Sequence, residues 1–227
     1  MPVELVVFDL AGTTVHDDND VPRVLQHSLQ RFDVAISLKE AAKVMGIPKP
    51  VAIRQLAVEK GMTDPKEEWV NDVHQAFIKE MIHFYESDAS VREKDGVSQT
   101  FRKLKSMGIK IAVDTGFSRE ITTPLLLRMG WEQNDLLDFS VTSDEVPHGR
   151  PFPDMIFKSM ALTGVSQVNH VAKVGDTASD MQEGTAAGCK WVIGITSGAY
   201  TREELTKEKH THLVHSVPEI LSVLEIY

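Results

Sequence analysis

The chain has 227 residues, of which 42% are hydrophobic and 25% charged, and its formal net charge is −9. This composition is typical of a globular chain that forms one large domain, or a core with a smaller inserted domain. The acidic balance and the lack of a Lys/Arg-rich run disfavour a nucleic acid or an anionic membrane as partner. No run of apolar residues is long enough to predict a membrane span. The single cysteine, Cys189, excludes an internal disulfide, so a reducing cytoplasm is the expected compartment.

The first predicted element is a strand over residues 3–8, an apolar, β-branched run that stops at Asp9. Similar runs, each preceded by a helical pattern, recur at residues 109–113, 170–174 and 191–195. Strands that alternate with helices predict an α/β sheet with right-handed crossovers. We therefore expect a three-layer, doubly wound parallel sheet, formed by residues 1–15 and 96–227.

Residues 16–95 interrupt this alternation, because they carry helical periodicity and no convincing strand. Ser37 and Glu40 have the spacing of a capping box, and Asp64-Pro65 predicts the start of another helix. Apolar side chains then recur at four-residue spacing, which indicates core packing: Trp69, Val73, Phe77 and Met81. An all-helical insert after the first strand predicts a small cap domain over the end of the sheet.

Polar residues suited to phosphoryl transfer follow the predicted strands, where ligands bind in an open α/β sheet. A carboxylate such as Asp9 can attack phosphorus and form an acyl-phosphate. The hydroxyl of Thr115 can hold phosphoryl oxygens, and Arg150 can offset their charge. Asp176 and Asp180 offer the oxygen ligands that Mg²⁺ prefers. Amides of the glycine loops are further candidates to bind substrate oxygens, at Gly12, Thr13 and Gly116.

Each of these residues also has an ordinary interpretation. Asp-x-x-Gly is commonly only a turn, Thr115 before Gly116 is compatible with a plain loop, and an arginine is often a surface ion-pair partner. The order of Asp9, Thr115, Arg150 and Asp176, each expected after a strand, is what favours phosphoryl-transfer chemistry.

The motifs resemble those of the haloacid dehalogenase superfamily, and within it the phosphonatase (phosphonoacetaldehyde hydrolase) branch. They are Asp9-Leu10-Ala11-Gly12-Thr13-Thr14, Asp114-Thr115-Gly116, His148-Gly149-Arg150-Pro151 and Gly175-Asp176-Thr177-Ala178-Ser179-Asp180. The resemblance implies that Asp9 is the nucleophile, Thr115 the phosphate-binding hydroxyl and Arg150 the cation. It also implies that Mg²⁺ is bound by Asp9, Asp176, Asp180 and the backbone carbonyl of Ala11.

Two features resemble the phosphonatase branch in particular. Most phosphatases of the superfamily carry a second Asp, acting as general acid and base, at the position of Ala11. The stretch from Met45 to Lys49 matches the cap pattern Met-Gly-x-x-Lys, whose lysine forms a Schiff base with the aldehyde. Cleavage of a C–P bond needs a sink for the carbanion, and a protonated imine on Lys49 supplies one. An exposed, solvated lysine is the ordinary alternative.

Three positions depart from the phosphonatase pattern. Ala52 stands in place of a His, Phe117 in place of an aromatic hydroxyl, and Asn19 is the nearest equivalent of a Cys. The proton-handling groups of the branch are therefore missing. His16 and His148 are candidates to take over proton transfer, since histidine titrates near neutral pH.

These observations predict a Mg²⁺-dependent phosphohydrolase, monomeric or homodimeric, acting on a small phosphonate or organophosphate. One alternative is a phosphatase of small monoesters, such as phosphoglycolate or a sugar phosphate, in which Lys49 binds a substrate anion. A second alternative is a catalytically inert binding protein on the same scaffold, for which the absence of an Asp at Ala11 is the argument.

Overall fold

The computed structural model describes residues 2–226. Its strands are β1 (Leu5–Phe8), β2 (Lys110–Thr115), β3 (Phe139–Thr142), β4 (Val171–Gly175), β5 (Trp191–Ile195) and β6 (His212–Val214). Its α-helices are α1 (Asp20–Gln30), α2 (Leu38–Ala42), α3 (Lys49–Glu59), α4 (Glu67–Ser87), α5 (Val97–Ser106), α6 (Arg119–Met129), α7 (Asp154–Thr163), α8 (Ala178–Ala187), α9 (Arg202–Leu205) and α10 (Ile220–Val223).

The six strands form one parallel sheet in the order β3-β2-β1-β4-β5-β6. From β1 the chain builds outward to β2 and β3, and then returns to the other side of β1 for β4, β5 and β6. The direction therefore reverses between β1 and β4, which is the point where open parallel sheets place their ligands. The predicted doubly wound α/β fold is confirmed.

Both faces of the sheet are covered, which explains why its strands are continuously apolar in sequence. Side chains alternate along β1: Val6 and Phe8 join a large core with α5 and α6, whereas Leu5 and Val7 pack toward α7. The large core continues without interruption into the helices between β1 and α5.

Two details differ from the sequence prediction. The edge strand β3 was not predicted, because Phe139 is exposed and its apolar pattern is correspondingly weak. The helix expected at Asp64-Pro65 begins instead at Glu67, after a segment in which Asp64 has a positive φ of 60° that no helix residue adopts.

The segment between β1 and α5 contains α1–α4 and, within residues 2–226, no strand of the sheet. Its longest helix, α4, packs against α1, α3 and the core helix α6. Val73, Phe77 and Met81 are fully buried, and Trp69 packs edge-on against Phe32 at 6.3 Å between ring centroids. The apolar stripe is therefore core packing, as predicted. The predicted capping box of Ser37 with Glu40 is also present.

The two connections between these helices and the sheet run side by side. The amide of His16 donates to the carbonyl of Arg92 (3.0 Å), and the amide of Lys94 donates to the carbonyl of Thr14 (2.9 Å). Two backbone hydrogen bonds therefore join the two connecting segments to each other. No helix in the described part of the chain combines the length and apolarity that crossing a membrane requires.

Candidate active site

Three carboxylates meet at the switch point of the sheet. Asp9 follows β1, Asp176 follows β4, and Asp180 lies in the first turn of α8. All three are buried, and each contributes an oxygen to a group whose atoms lie within 4.8 Å of one another. The structure thus brings together the three carboxylates that the sequence singled out at positions 9, 176 and 180.

Asp176 is held by the loops around it. Its Oδ1 accepts a hydrogen bond from the hydroxyl of Thr13 (2.7 Å), and its Oδ2 accepts one from the amide of Ala199 (2.6 Å). Gly12 and Gly198 approach so closely that a Cβ at either position would overlap the carboxylate of Asp176. Gly12 also has a positive φ of 88°, which an L side chain rarely adopts. Both positions must therefore be glycine for the Asp176 carboxylate to fit between them.

Burial and mutual repulsion disfavour the ionised form of these carboxylates when no cation is bound. Burial raises the pKa of Asp9 to about 6, against the lowering effect of Arg150. Burial, followed by repulsion from Asp9 and Asp180, raises the pKa of Asp176 to about 8. Oδ1 of Asp180 forms ion pairs with Arg150 (3.0 Å) and Lys173 (3.3 Å), but within residues 2–226 neither contact has hydrogen-bond geometry. A buried group of carboxylate oxygens with these properties fits a hard divalent cation such as Mg²⁺.

The buried side chains of Arg150 and Lys173 offset the negative charge of the acidic cluster. The guanidinium of Arg150 lies 2.7 Å from Asp9, 3.0 Å from Asp180 and 3.0 Å from Glu183, and it also contacts Asp114. Lys173 contacts the same partners except Asp9, at 2.9 Å from Glu183 and 3.3 Å from Asp180. Arg150 does not directly follow a strand, since the turn Ser143–Glu145 intervenes after β3.

Sequence reasoning missed the partners of Arg150, although a signal for them exists. Lys173 is a charged residue inside the otherwise apolar strand β4, where a lysine is almost always paired. Glu183 lies three residues after Asp180 on one face of α8, and Asp114 is buried within β2. A lysine within a buried strand, together with two carboxylates on buried elements, predicts a buried ion-pair network. The four motifs, taken separately, did not predict this network.

A cleft opens from Asp9 toward the helices between β1 and α5. It leaves only about 30 Å³ accessible to a water-sized molecule, so the helices lie nearly closed over it. The predicted residues Ala11, Thr115, Gly116 and Lys49 line it together with Asp9. The hydroxyl of Thr115 accepts a hydrogen bond from the amide of Phe117 (3.2 Å).

Lys49, the first residue of α3, is buried in this cleft. Its Nζ lies 5.2 Å from the ring centroid of Phe117 and 5.8 Å from that of Phe77, and it forms no salt bridge within residues 2–226. Burial lowers its pKa from the ordinary 10.5 to about 8. A substantial fraction of Lys49 is therefore a neutral amine near pH 8, the form that attacks a carbonyl.

Other predicted residues lie outside the lining of the cleft. The amides of Gly12 and Thr13 donate to backbone carbonyls of their own turn, to Val15 at 2.9 Å and Leu10 at 3.2 Å. His148 is exposed and lies 3.3 Å from Asp154. His16 lines a neighbouring depression instead. Neither histidine reaches the cleft, so neither is placed to replace the missing proton-transfer groups.

The loop before α3 closes directly onto the sheet. A Cβ at Gly116 would stand 2.9 Å from the carbonyl oxygens of both Gly46 and Ile47, and a Cβ at Gly149 would overlap Pro48. Only glycine at these two core positions lets the loop approach, and this approach delivers Lys49 to the cleft.

The sheet order, the inserted helices and the acidic cleft at the switch point are features of an α/β enzyme with a capped site. The family model described as Haloacid dehalogenase-like hydrolase matches residues 6–194, and the chain belongs to this family.

Individual proteins similar to this chain are consistent with that family. The chain is 35% identical over 209 residues to phosphonoacetaldehyde hydrolase of Bacillus cereus, a match that covers 88% of this chain and 78% of the relative. A phosphonoacetaldehyde hydrolase-like protein of Oleispira antarctica has the same fold, with a TM-score of 0.84 at 23% identity over 99% of this chain and 92% of that one. A predicted phosphoglycolate phosphatase of Haemophilus somnus superposes with a TM-score of 0.79 at 20% identity, covering 97% of both chains.

The predicted superfamily, its phosphonatase-like branch and the hydrolase class are confirmed by these matches. Membership in a family of hydrolases, together with the intact acidic cluster, counts against the inert binding protein as an alternative.

Proposed function

We propose that the protein is a Mg²⁺-dependent phosphohydrolase that forms an aspartyl-phosphate at Asp9 and acts on a small phosphonate bearing a carbonyl group. The observation that carries this proposal is the meeting of Asp9 and the amine of Lys49 at a single cleft, with two further buried carboxylates beside Asp9. A nucleophile for phosphorus and a nucleophile for a carbonyl then act on the same small molecule.

In this proposal Asp9 attacks phosphorus while Thr115 and Gly116 hold the phosphoryl oxygens. Arg150, 2.7 Å from Asp9, orients the nucleophile and offsets charge on the phosphoryl group. Asp9, Asp176, Asp180 and the carbonyl of Ala11 would hold Mg²⁺, which screens the repulsion between Asp9 and an anionic substrate. Water then hydrolyses the aspartyl-phosphate and regenerates Asp9.

The leaving group is the part of the reaction that Lys49 serves. An alkoxide needs a proton from an acid, and Ala11 cannot supply one, whereas a carbanion needs an electron sink. An iminium on Lys49 accepts the electrons of the breaking C–P bond and becomes an enamine. The relatives named phosphonoacetaldehyde hydrolase, at 35% identity, favour the same substrate class.

We further propose that residues 16–95 form a cap that moves as a unit about the paired segments near Thr14 and Lys94. Opening admits the substrate, and closure brings Lys49 over Asp9 and excludes water. The close approach of Gly46 to Gly116 supports the closed arrangement as the one competent for reaction.

Borohydride trapping tests the imine. Incubation with phosphonoacetaldehyde and borohydride is expected to attach a reduced adduct to Lys49, identified by mass spectrometry of the digested protein. Lys49→Met should give no adduct, whereas Lys43→Met, an exposed lysine six positions earlier, should behave as the wild type. An unmodified Lys49 in the active wild-type protein would contradict the imine.

That contradictory result would favour the monoester alternative, in which Lys49 binds a substrate anion through its charge. A screen of phosphonates and phosphate esters with and without Mg²⁺ separates the two. Phosphate release from phosphonoacetaldehyde supports C–P cleavage; release from phosphoglycolate or a sugar phosphate alone supports P–O cleavage.

Stability should depend jointly on pH and Mg²⁺. The pKa values of Asp9, about 6, and Asp176, about 8, exceed their ordinary 3.8, so the metal-free native chain binds more protons than the unfolded chain. Its free energy of unfolding therefore falls as the pH rises from about 4 to about 8. Mg²⁺ binds the ionised carboxylates and should raise the melting temperature more at pH 8 than at pH 6, by several degrees on the order expected for a few kcal/mol.

Thermal melts in Mg²⁺ and in EDTA at the two pH values measure this difference. Asp176→Asn should remove most of the Mg²⁺ effect at pH 8. An equal shift at both pH values, or none, would count against a metal bound by these carboxylates.

A further inference from the structure

Asp17 is a carboxylate in the cleft that no motif accounts for. It lies between Thr14 and the start of α1, and it lines the same cleft as Asp9 and Lys49. Among the residues lining this cleft, Asp9, Asp17 and Lys49 are the ones with titratable side chains. Once Asp9 serves as nucleophile and Lys49 as amine, Asp17 remains to exchange protons.

One oxygen of Asp17 is anchored and the other is free. Oδ1 accepts hydrogen bonds from the amides of Asp20 (2.6 Å) and Val21 (3.2 Å) at the start of α1. Oδ2 has no hydrogen-bond partner within residues 2–226. The anchor fixes the side chain, as an acid–base group requires, and leaves one oxygen for proton transfer.

The charges around the two groups favour transfer between them. Burial raises the pKa of Asp17 from the ordinary 3.8, and Lys49 partly offsets that rise. Burial lowers the pKa of Lys49 to about 8, with Asp9 and Asp17 opposing the change and Arg150 adding to it. The gap between amine and carboxyl pKa is therefore narrower than in water, so a proton passes from one to the other at smaller cost.

Groups on the neighbouring elements complete this environment. Asp20 in α1 adds to the rise that burial causes in the pKa of Asp17. Burial, and after it Asp17, raises the pKa of Tyr85, a buried residue of α4. Tyr85 therefore stays a neutral phenol beside Asp17. Lys49 is left as the basic group that acts on the Asp17 carboxyl.

The residues that line the cleft offer no other group to move this proton. His74 of α4, whose pKa burial and then Lys49 lower to about 4, lies outside the lining. Ala52 and Phe117 offer no acid or base, and Asn19 is exposed with a positive φ of 64°. His16 and His148 lie outside the cleft lining. Asp17 is therefore the carboxylate of the cleft lining that remains to carry this proton once Asp9 serves as nucleophile.

We propose that Asp17 is the acid–base residue that forms the imine on Lys49, a role that rests on the proposed function. Asp17 takes a proton from the Lys49 ammonium, and the neutral amine attacks the carbonyl carbon. The nitrogen proton moves to the former carbonyl oxygen, giving a neutral carbinolamine. Asp17 then returns its proton to the hydroxyl, which leaves as water while the nitrogen lone pair forms the C=N⁺ bond. The pair begins as ammonium and carboxylate and ends as iminium and carboxylate, so charge and protons balance.

The test measures imine formation alone, with acetaldehyde as the probe and cyanoborohydride as the trap. The rate at which Lys49 gains a reduced ethyl group is followed by mass spectrometry. Asp17→Asn keeps an oxygen for the α1 amides but cannot carry the proton, so this rate should fall about 10²–10⁴-fold at pH 7. Asp18→Asn, an exposed neighbour outside the cleft lining, should keep the wild-type rate.

The pH profile separates proton transfer from mere positioning. The reactive wild-type pair shares one proton, so its rate should fall as the pH rises past about 8, where that proton is lost. The rate of Asp17→Asn should instead rise over the same range, because only deprotonation of Lys49 still matters. A positioning role alone would leave the two profiles with the same slope.

The outcomes are distinguishable. No adduct on wild-type Lys49 overturns both the imine and the role of Asp17. A wild-type adduct with an Asp17→Asn rate within about threefold, or parallel pH profiles, overturns the role of Asp17 and leaves the imine standing. Should Asp17→Asn lose helix by circular dichroism, Asp17→Ser, which still caps α1, takes its place with the same outcomes.

Discussion

Asp9→Asn is expected to abolish turnover while the fold persists. An amide cannot attack phosphorus to form an acyl-phosphate, so phosphate release should fall by at least about a thousandfold. The fold should survive because Asn has the same shape. Arg150 also keeps Asp114, Asp180 and Glu183 as partners. Loss of one buried carboxylate relieves repulsion on Asp176, so the melting temperature without Mg²⁺ should hold or rise.

Phosphate release, circular dichroism and thermal melts measure the two halves of this prediction. Acid quenching of the wild-type reaction should leave a phosphoryl group on Asp9, which mass spectrometry detects and the variant lacks. Asp72→Asn, an exposed carboxylate on α4, should retain turnover and stability. Near-normal phosphate release by a folded Asp9→Asn protein would end the proposal of a nucleophile at this position.

The sheet and the acidic cluster were predictable because short-range patterns determine them. An apolar run buried on both faces identifies a parallel strand, and its first polar residue marks the carboxyl end. Parallel strands bring those ends to one edge, so Asp9 and Asp176 are neighbours despite their separation in the chain. Once strands β1 and β4 were recognised, the meeting of their terminal carboxylates followed.

The cap contribution was not predictable in the same way. Lys49 reaches the cleft only because Gly116 and Gly149 have no side chain to hold the cap loop away, a contact between distant segments. The proposed role of Asp17 depends on the same approach, since α3 must bring Lys49 into the cleft that Asp17 lines. Helical periodicity gave the packed faces of α4, but it carries no information on which polar residue faces the sheet.

Arg150 should have the largest effect on stability of any single residue in the site. Its guanidinium is fully buried, and it contacts four carboxylates from three parts of the chain: Asp9 after β1, Asp114 in β2, and Asp180 and Glu183 in α8. Arg150→Met leaves Lys173 as the sole cation against Asp114, Asp180 and Glu183. Breaking a buried ion-pair network from one side costs about 3–5 kcal/mol in the free energy of unfolding.

The cost should depend on pH with a definite sign. Burial already raises the pKa of Glu183 to about 8, and loss of a cation raises the pKa values of its neighbours further. Protonation of these carboxylates relieves the variant at low pH, so the difference from wild type should be smaller at pH 6 than at pH 8. The fraction of Arg150→Met that remains folded should also lack turnover, since Asp9 loses the cation that orients it.

Urea denaturation at pH 6 and pH 8 measures both effects, with the slope of the transition as a check on two-state behaviour. Arg102→Met, on the exposed side of α5, removes the same charge at the surface and should change stability by no more than about 0.5 kcal/mol. If Arg150→Met matched the wild type at pH 8, the buried carboxylates would have to be neutral there. The site would then hold too little negative charge to bind a divalent cation, and the proposed metal-dependent chemistry would fall with it.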